Sequence, residues 1–267
     1  MKRISAGGIL AVWFAAATIV LGGCGKSSNV TGLGAVAQQA ADDLAVQVGA
    51  SASADNGGLM TEIEGTSSAV PMAVQPATIE GVAAADTTFA RGPFAITLER
   101  TFYDVDGLEL RQWDPSAVRV AIGSWVRGSV TGVRYQATVG RTGTLDVNGL
   151  AAAVDTLVFD GTATDTTDAR YTSLDGLRTV DVHVLATRVL AGVRALKNRN
   201  VNPWPLSGTA TWNLSVDKYA NGPRGGIEVH YDAVVVVEFD GTQYADVTVN
   251  GRYRYRMDLQ TGGIARS

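Results

Sequence analysis

Val237-Glu238-Phe239-Asp240-Gly241-Thr242, followed by Val249-Asn250-Gly251-Arg252-Tyr253-Arg254-Tyr255-Arg256-Met257-Asp258-Leu259, decides the fold. In the second stretch Tyr253, Tyr255, Met257 and Leu259 fall on one side of an extended chain, and Arg252, Arg254, Arg256 and Asp258 on the other. Side chains alternate across a strand, so this pattern buries one face and wets the other. Asp240-Gly241 and Asn250-Gly251 are dipeptides that accept positive φ at both central positions of a tight hairpin turn. Three strands joined by two such turns leave no room for the long crossover a parallel pair needs, so the pairing is antiparallel.

The same alternation recurs upstream from Arg91. Phe94, Ile96 and Leu98 alternate with small or polar residues, as do Val118, Val120 and Ile122, then Val133, Tyr135, Ala137 and Val139. Val180, Val182, Val184 and Ala186 follow, then Ala210, Trp212, Leu214 and Val216. Asp106-Gly107, Asn148-Gly149, Asp160-Gly161 and Asp175-Gly176 read as further turns. Residues 91–262 are therefore expected to form an all-β domain. It is one antiparallel meander of roughly ten strands, curved into a half-barrel or split into a two-layer sandwich. Phe159-Asp160-Gly161-Thr162 recurs as Phe239-Asp240-Gly241-Thr242, which hairpin chemistry explains without a duplication. Between Arg194 and Ser207 the pattern breaks, and Pro203-Trp204-Pro205 forbids a central strand there.

Residues 24–90 have a different texture, rich in Ala, Gly, Ser and Thr. Leu33, Val36, Ala40, Leu44 and Val48 recur at threes and fours, which predicts a short helix over about 33–48, resting on the membrane or on the β domain. Ser51 to Gly58 and Gly65 to Thr88 read as a loose tether, locally stiffened by Pro71 and Pro76.

The first residues carry an export signal. Lys2 and Arg3 precede a mostly apolar run from Ile9 to Leu21, about the length of a signal-peptide core. A spanning helix needs about 20 apolar residues, and Gly22, Gly23, Cys24 and Lys26 interrupt first. Leu21-Gly22-Gly23-Cys24 resembles the lipobox of bacterial lipoproteins. That resemblance covers only the start of the chain. It implies a signal peptide over 1–23, cleavage before Cys24, and acyl chains (palmitate among them) on Cys24 that tie the protein to a membrane. Gly25 in place of an aspartate implies the outer membrane of a two-membrane bacterium.

Cys24 is the only cysteine, and with its sulfur carrying lipid no disulfide, thiol nucleophile or cysteine metal site is expected. Removing Lys2 and Arg3 from the 22 basic residues leaves 20 against 26 acidic, a balance that argues against nucleic acid as a partner. No Gly-x-Ser-x-Gly elbow and no Walker-type phosphate loop occurs, and no cofactor is implied.

Three constellations remain. Glu228, His230 and Asp232 share one strand face, and Asp181 and His183 share another. If those strands were neighbours, His183, His230 and Asp232 would form a candidate metal site; solvent-facing polar residues are the simpler reading. Arg252, Arg254 and Arg256 form a ladder suited to anionic lipid or polysaccharide, which Glu238, Asp240 and Asp246 would partly neutralise. Asp104-Val105-Asp106-Gly107 with Glu109 has the opening of a calcium loop but lacks the later ligands, so a hairpin turn fits better.

The expectation is a non-enzymatic cell-envelope module, binding or structural, whose partners are the membrane through Cys24 and a lipid, glycan or envelope protein. The alternatives are an amphiphile carrier, with an apolar concavity lined by Trp212, Phe239 and Tyr255, or a hydrolase or metal-dependent enzyme. A purely structural role would leave an exposed apolar patch, with Trp204 as its candidate centre.

Overall fold

The computed structural model describes residues 30–55, 58–69, 86–91, 93–110, 114–132, 134–172, 177, 179–222 and 225–267. The signal segment 1–23, its Leu21, Gly22 and Gly23, and Cys24 lie outside the described residues, as do Pro71, Pro76 and Asp175-Gly176.

Among the described residues from Asp86 onward, the chain is a single antiparallel sheet of twelve strands. In order these are β1 (Asp86–Arg91), β2 (Phe94–Tyr103), β3 (Glu109–Leu110), β4 (Arg119–Gly132), β5 (Tyr135–Asn148) and β6 (Thr156–Thr172). They continue with β7 (Thr179–Leu196), β8 (Ser207–Gly222), β9 (Gly225–Phe239), β10 (Tyr244–Val249), β11 (Tyr253–Asp258) and β12 (Ile264–Arg266). Every strand lies beside its sequence neighbours except β3, a two-residue strand that pairs Phe102 and Tyr103 of β2 on the side where β1 pairs Phe94–Glu99. The meander is as expected; the sheet stays open, in one piece, and does not split into a two-layer sandwich. Its strands begin at Asp86 and end at Arg266, wider than the 91–262 read from the sequence.

Two of the expected turns differ. Asn250 and Gly251 both have positive φ, 51° and 64°, as the tight turn between β10 and β11 requires. Asp160-Gly161, in contrast, lies inside β6, where the register slips between Phe159 and Gly161. The Asp160 carboxylate accepts the Gly192 N–H at 2.7 Å, so this is a β-bulge rather than a turn. The two Phe-Asp-Gly-Thr copies thus occupy unlike places.

The second layer is helical. α1 (Val30–Ala52) is longer than the 33–48 expected, and α2 (Leu59–Ala69) falls partly where a tether was read. The arm is not loose there. Leu44, Ala45 and Val48 of α1 and Leu59, Met60 and Ile63 of α2 are buried with one face of the sheet. That covered face runs from Val120 and Ile122 on β4 through Phe159, Val193, Trp212, Val235 and Val247 to Met257 on β11. The spacing Leu44–Val48 gave the right stripe for α1. α2 escaped the sequence reading because Gly65, Thr66, Ser67 and Ser68 are weak helix formers and its large apolar residues, Leu59, Met60 and Ile63, are confined to its start.

α1 is fixed at its C-terminal end. The N–H groups of Ala54 and Asp55 bond the carbonyls of Leu259 and Gln260, each at 2.9 Å. At mid-helix, Tyr255 Oη donates to Asp42 at 2.8 Å, Gln38 Nε2 donates to Tyr255 Oη at 3.0 Å, and Arg266 of β12 pairs with Asp42. Burial and the Asp42 charge push the Tyr255 hydroxyl pKa up. Among the described residues no helix is long and apolar enough to cross a membrane.

Candidate functional site

Because directly opposed residues in an antiparallel ladder share a face, the register lays polar side chains in rows across the open face. One row reads Thr138, Asp168, His183, Asp217, His230 across β5 to β9. The next reads Gln136, Arg170, Asp181, Tyr219, Glu228. Both rows apart from His230, together with Ala169, Val182 and Lys218, line an open groove of about 380 Å³.

The groove is acidic and internally paired. His183 Nδ1 meets Asp168 at 2.6 Å, and His230 Nδ1 meets Asp217 at 2.6 Å with Asp232 at 3.5 Å from its Nε2. Arg170 bonds Asp181 at 2.5 Å, and the bond raises its pKa. The hydrogen bond that His230 donates to Asp217, with the neighbouring carboxylate charges, also raises the His230 pKa. A raised imidazole pKa favours the charged form, so the His230–Asp217 pair is strongest at low pH and fades as pH rises through the folded value.

The structure separates the expected metal ligands. His183 on β7 and His230 on β9 have β8 between them, so their backbones stand about 10 Å apart at ladder spacing. Asp217 fills the intervening position. Among the described residues no group of three or more His, Cys, Asp or Glu side chains is placed to hold a metal ion. Sequence reading found both histidines but missed Asp168 and Asp217, because strand order and register are what bring them alongside.

The arginine ladder is exposed as expected, but part of it is engaged. Arg256 stands opposite Asp246, which stands opposite Glu238, and its guanidinium lies 4.9 Å from the Tyr244 ring. Arg252 lies 5.3 Å from the Tyr253 ring, and Arg254 faces Thr248. Trp204 is half-buried and packs on the core, so it is not the centre of an exposed patch. The Asp104 carboxylate accepts the N–H groups of Asp106 and Leu108 at 3.0 and 2.8 Å, which makes that segment a hairpin turn.

The covered face holds a charged cluster that sequence spacing did not reveal. Arg141 of β5 and Asp165 of β6 are opposite in register and ion-paired. Glu62 of α2 meets Arg141 Nη1 and Arg188 Nη2 of β7, each at 2.6 Å. The Asp165 and Arg188 side chains are only 4% and 6% exposed. Burial pushes the Glu62 carboxyl up, but the charges of Arg188 and Arg141 and the bonds they donate outweigh it and hold it down at about 2. The Nε and Nη1 of Arg188 are buried with no hydrogen-bond partner among the described residues.

Comparison with protein-family models, with curated proteins and with solved structures returned no match.

Proposed function

We propose that the chain is an envelope lipoprotein, held at a membrane through Cys24, and that it works as a non-catalytic binding module. Its working surface is the open-face groove. The observation that carries this reading is the pairing of rows across β5–β9, where carboxylates, the His183 imidazole, Gln136 and Tyr219 line one indentation. Such a lining sets four carboxylates, Asp168, Asp181, Asp217 and Glu228, against two cations, Arg170 and Lys218, which suits a ligand rich in hydroxyl and ammonium groups. Among envelope components an amino-sugar glycan has that chemistry. The apolar-concavity reading has less support, because Trp212, Phe239 and Tyr255 are packed in one buried cluster with α1 and α2.

Two measurements test the proposal. In the native host, Cys24→Ala is expected to move the protein from the membrane fraction to the soluble one; unchanged membrane association overturns the anchor. The folded chain is expected to bind soluble amino-sugar oligosaccharides in calorimetry, and Asp168→Asn with Asp217→Asn to weaken binding by about tenfold. No binding by the parent chain, or binding the double variant retains, overturns the groove.

A further inference from the structure

We propose that the covered face holds a second, closed binding site for an amphiphile with an anionic head, and that α2 occupies it in cis. Glu62 stands where the head group goes, and Leu59, Met60 and Ile63 stand where the apolar tail goes. This inference is independent of the open-face groove and of the lipid on Cys24.

The charge count on the sheet is the first reason. Without α2, this cluster on the sheet holds two cations, Arg141 and Arg188, and one anion, Asp165. The cluster therefore carries one excess positive charge, on a covered face that also holds Lys218 and Thr167 beside its apolar residues. The Glu62 carboxylate supplies the missing anion. A helix that only had to be held in place needs no such device, since apolar residues of similar size serve as well as a buried ion pair.

The incomplete use of Arg188 is the second reason. Glu62 engages Nη2, while Nε and Nη1 of the same buried guanidinium go unpartnered among the described residues. A guanidinium fork is matched by a carboxylate or phosphate that approaches in its plane with two oxygens. Glu62, tied to its helix and shared with Arg141, meets Arg188 through one bond. A free head group has no such tether.

The surroundings are the third reason. Arg188 lies directly opposite Trp212 in register, and Leu190 next along its strand lies opposite Ala210. The cation thus sits beside a buried apolar wall, as an acid head sits beside its own chain. α2 contributes no strand pairing, and ahead of it the N–H groups of Ala54 and Asp55 bond the carbonyls of Leu259 and Gln260 in the turn between β11 and β12. α2 can therefore leave the face with every ladder left intact.

The shared ligand chemistry is a carboxylate or phosphate on an alkyl chain, and the experiment separates the sources. The full chain carrying Cys24→Ala, so that its own acyl group does not compete, is titrated with oleate and with dodecyl phosphate. Sodium acetate and inorganic phosphate are the tail-less controls. At least one amphiphile is expected to bind with unit stoichiometry and to speed hydrogen exchange in 59–69 while the strands stay protected.

Glu62→Gln is expected to tighten binding by about tenfold, because the competent state is then more populated. Arg188→Met is expected to weaken it by more than about tenfold. Where Arg188→Met does not fold, Arg188→Lys keeps the charge, loses the fork, and is expected to weaken binding less but measurably. Where Glu62→Gln does not fold, Glu62→Asp carries the same expectation in smaller measure. Failure of both amphiphiles to bind either the parent or the Glu62 variant overturns the proposal. Binding indifferent to Arg188, or inorganic phosphate binding as tightly as dodecyl phosphate, also overturns it.

Discussion

Glu62 shows how one side chain's environment becomes a stability statement. Its folded pKa, about 2, lies below the ordinary 4.5 because two guanidinium groups favour the charged carboxylate more than burial disfavours it. A carboxyl with a depressed folded pKa stabilises above its unfolded value, and that contribution is lost as pH falls through the folded one. The window here runs from about 4.5 down to about 2. The chain is therefore expected to lose urea stability as pH drops across it. Glu62→Gln, already less stable at neutral pH, should lack that part of the slope. Parallel slopes for the two proteins would refute the assignment of this acid sensitivity to Glu62. The other partners were in plain view in the sequence, yet Arg141 and Asp165 lie 24 residues apart and Glu62 lies 79 from Arg141. No spacing rule links them. Only the β5–β6 register and the docking of α2 do.

At the level of elements, the contact between α1 and the turn joining β11 to β12 is backbone against backbone. A Cβ placed on Gly49 would meet the Gly262 carbonyl oxygen at 2.6 Å, and one on Gly262 would meet the Gly49 oxygen at 2.8 Å. Gly262 also has φ of +78°, which side-chain-bearing residues adopt at a cost. Gly262→Ala is expected to cost about 1–3 kcal/mol in denaturant unfolding, from strained φ and from pushing the helix off the sheet. A change below the measurement error would mean that the helix tolerates a wider seat. The strands themselves were legible one by one, since alternation and turn dipeptides are local signals. The Asp160-Gly161 bulge was not, because the same dipeptide serves a turn at Asp240-Gly241 and a slip in register at mid-strand. What separates them is whether the flanking strands continue, as β6 does for eleven residues past Gly161.

Taken whole, the molecule is an open sheet closed on one side by its own helices. The covered face includes Leu157, Phe159, Trp212, Val235 and Met257, each no more than 2% exposed. Deleting residues 30–69 would bare that apolar face and the excess cation among Arg141, Arg188 and Asp165. The deleted chain is expected to aggregate on refolding rather than give a soluble β domain, as size-exclusion chromatography would show. A monodisperse β-rich monomer would mean that the helices are dispensable for the fold.

The sequence by itself determined the antiparallel meander, the alternation of faces, most of the turns and the absence of any thiol beyond Cys24. These follow from short-range chemistry: period-two burial, positive φ at Asn-Gly and Asp-Gly, and the count of a residue type. The tertiary structure alone decided that the arm would become a second layer, that His183 and His230 would face aspartates instead of each other, and that four charges would meet under α2. Each of these joins residues far apart along the chain, and such meetings are set by strand order, register and the seat of a helix, which no local pattern encodes.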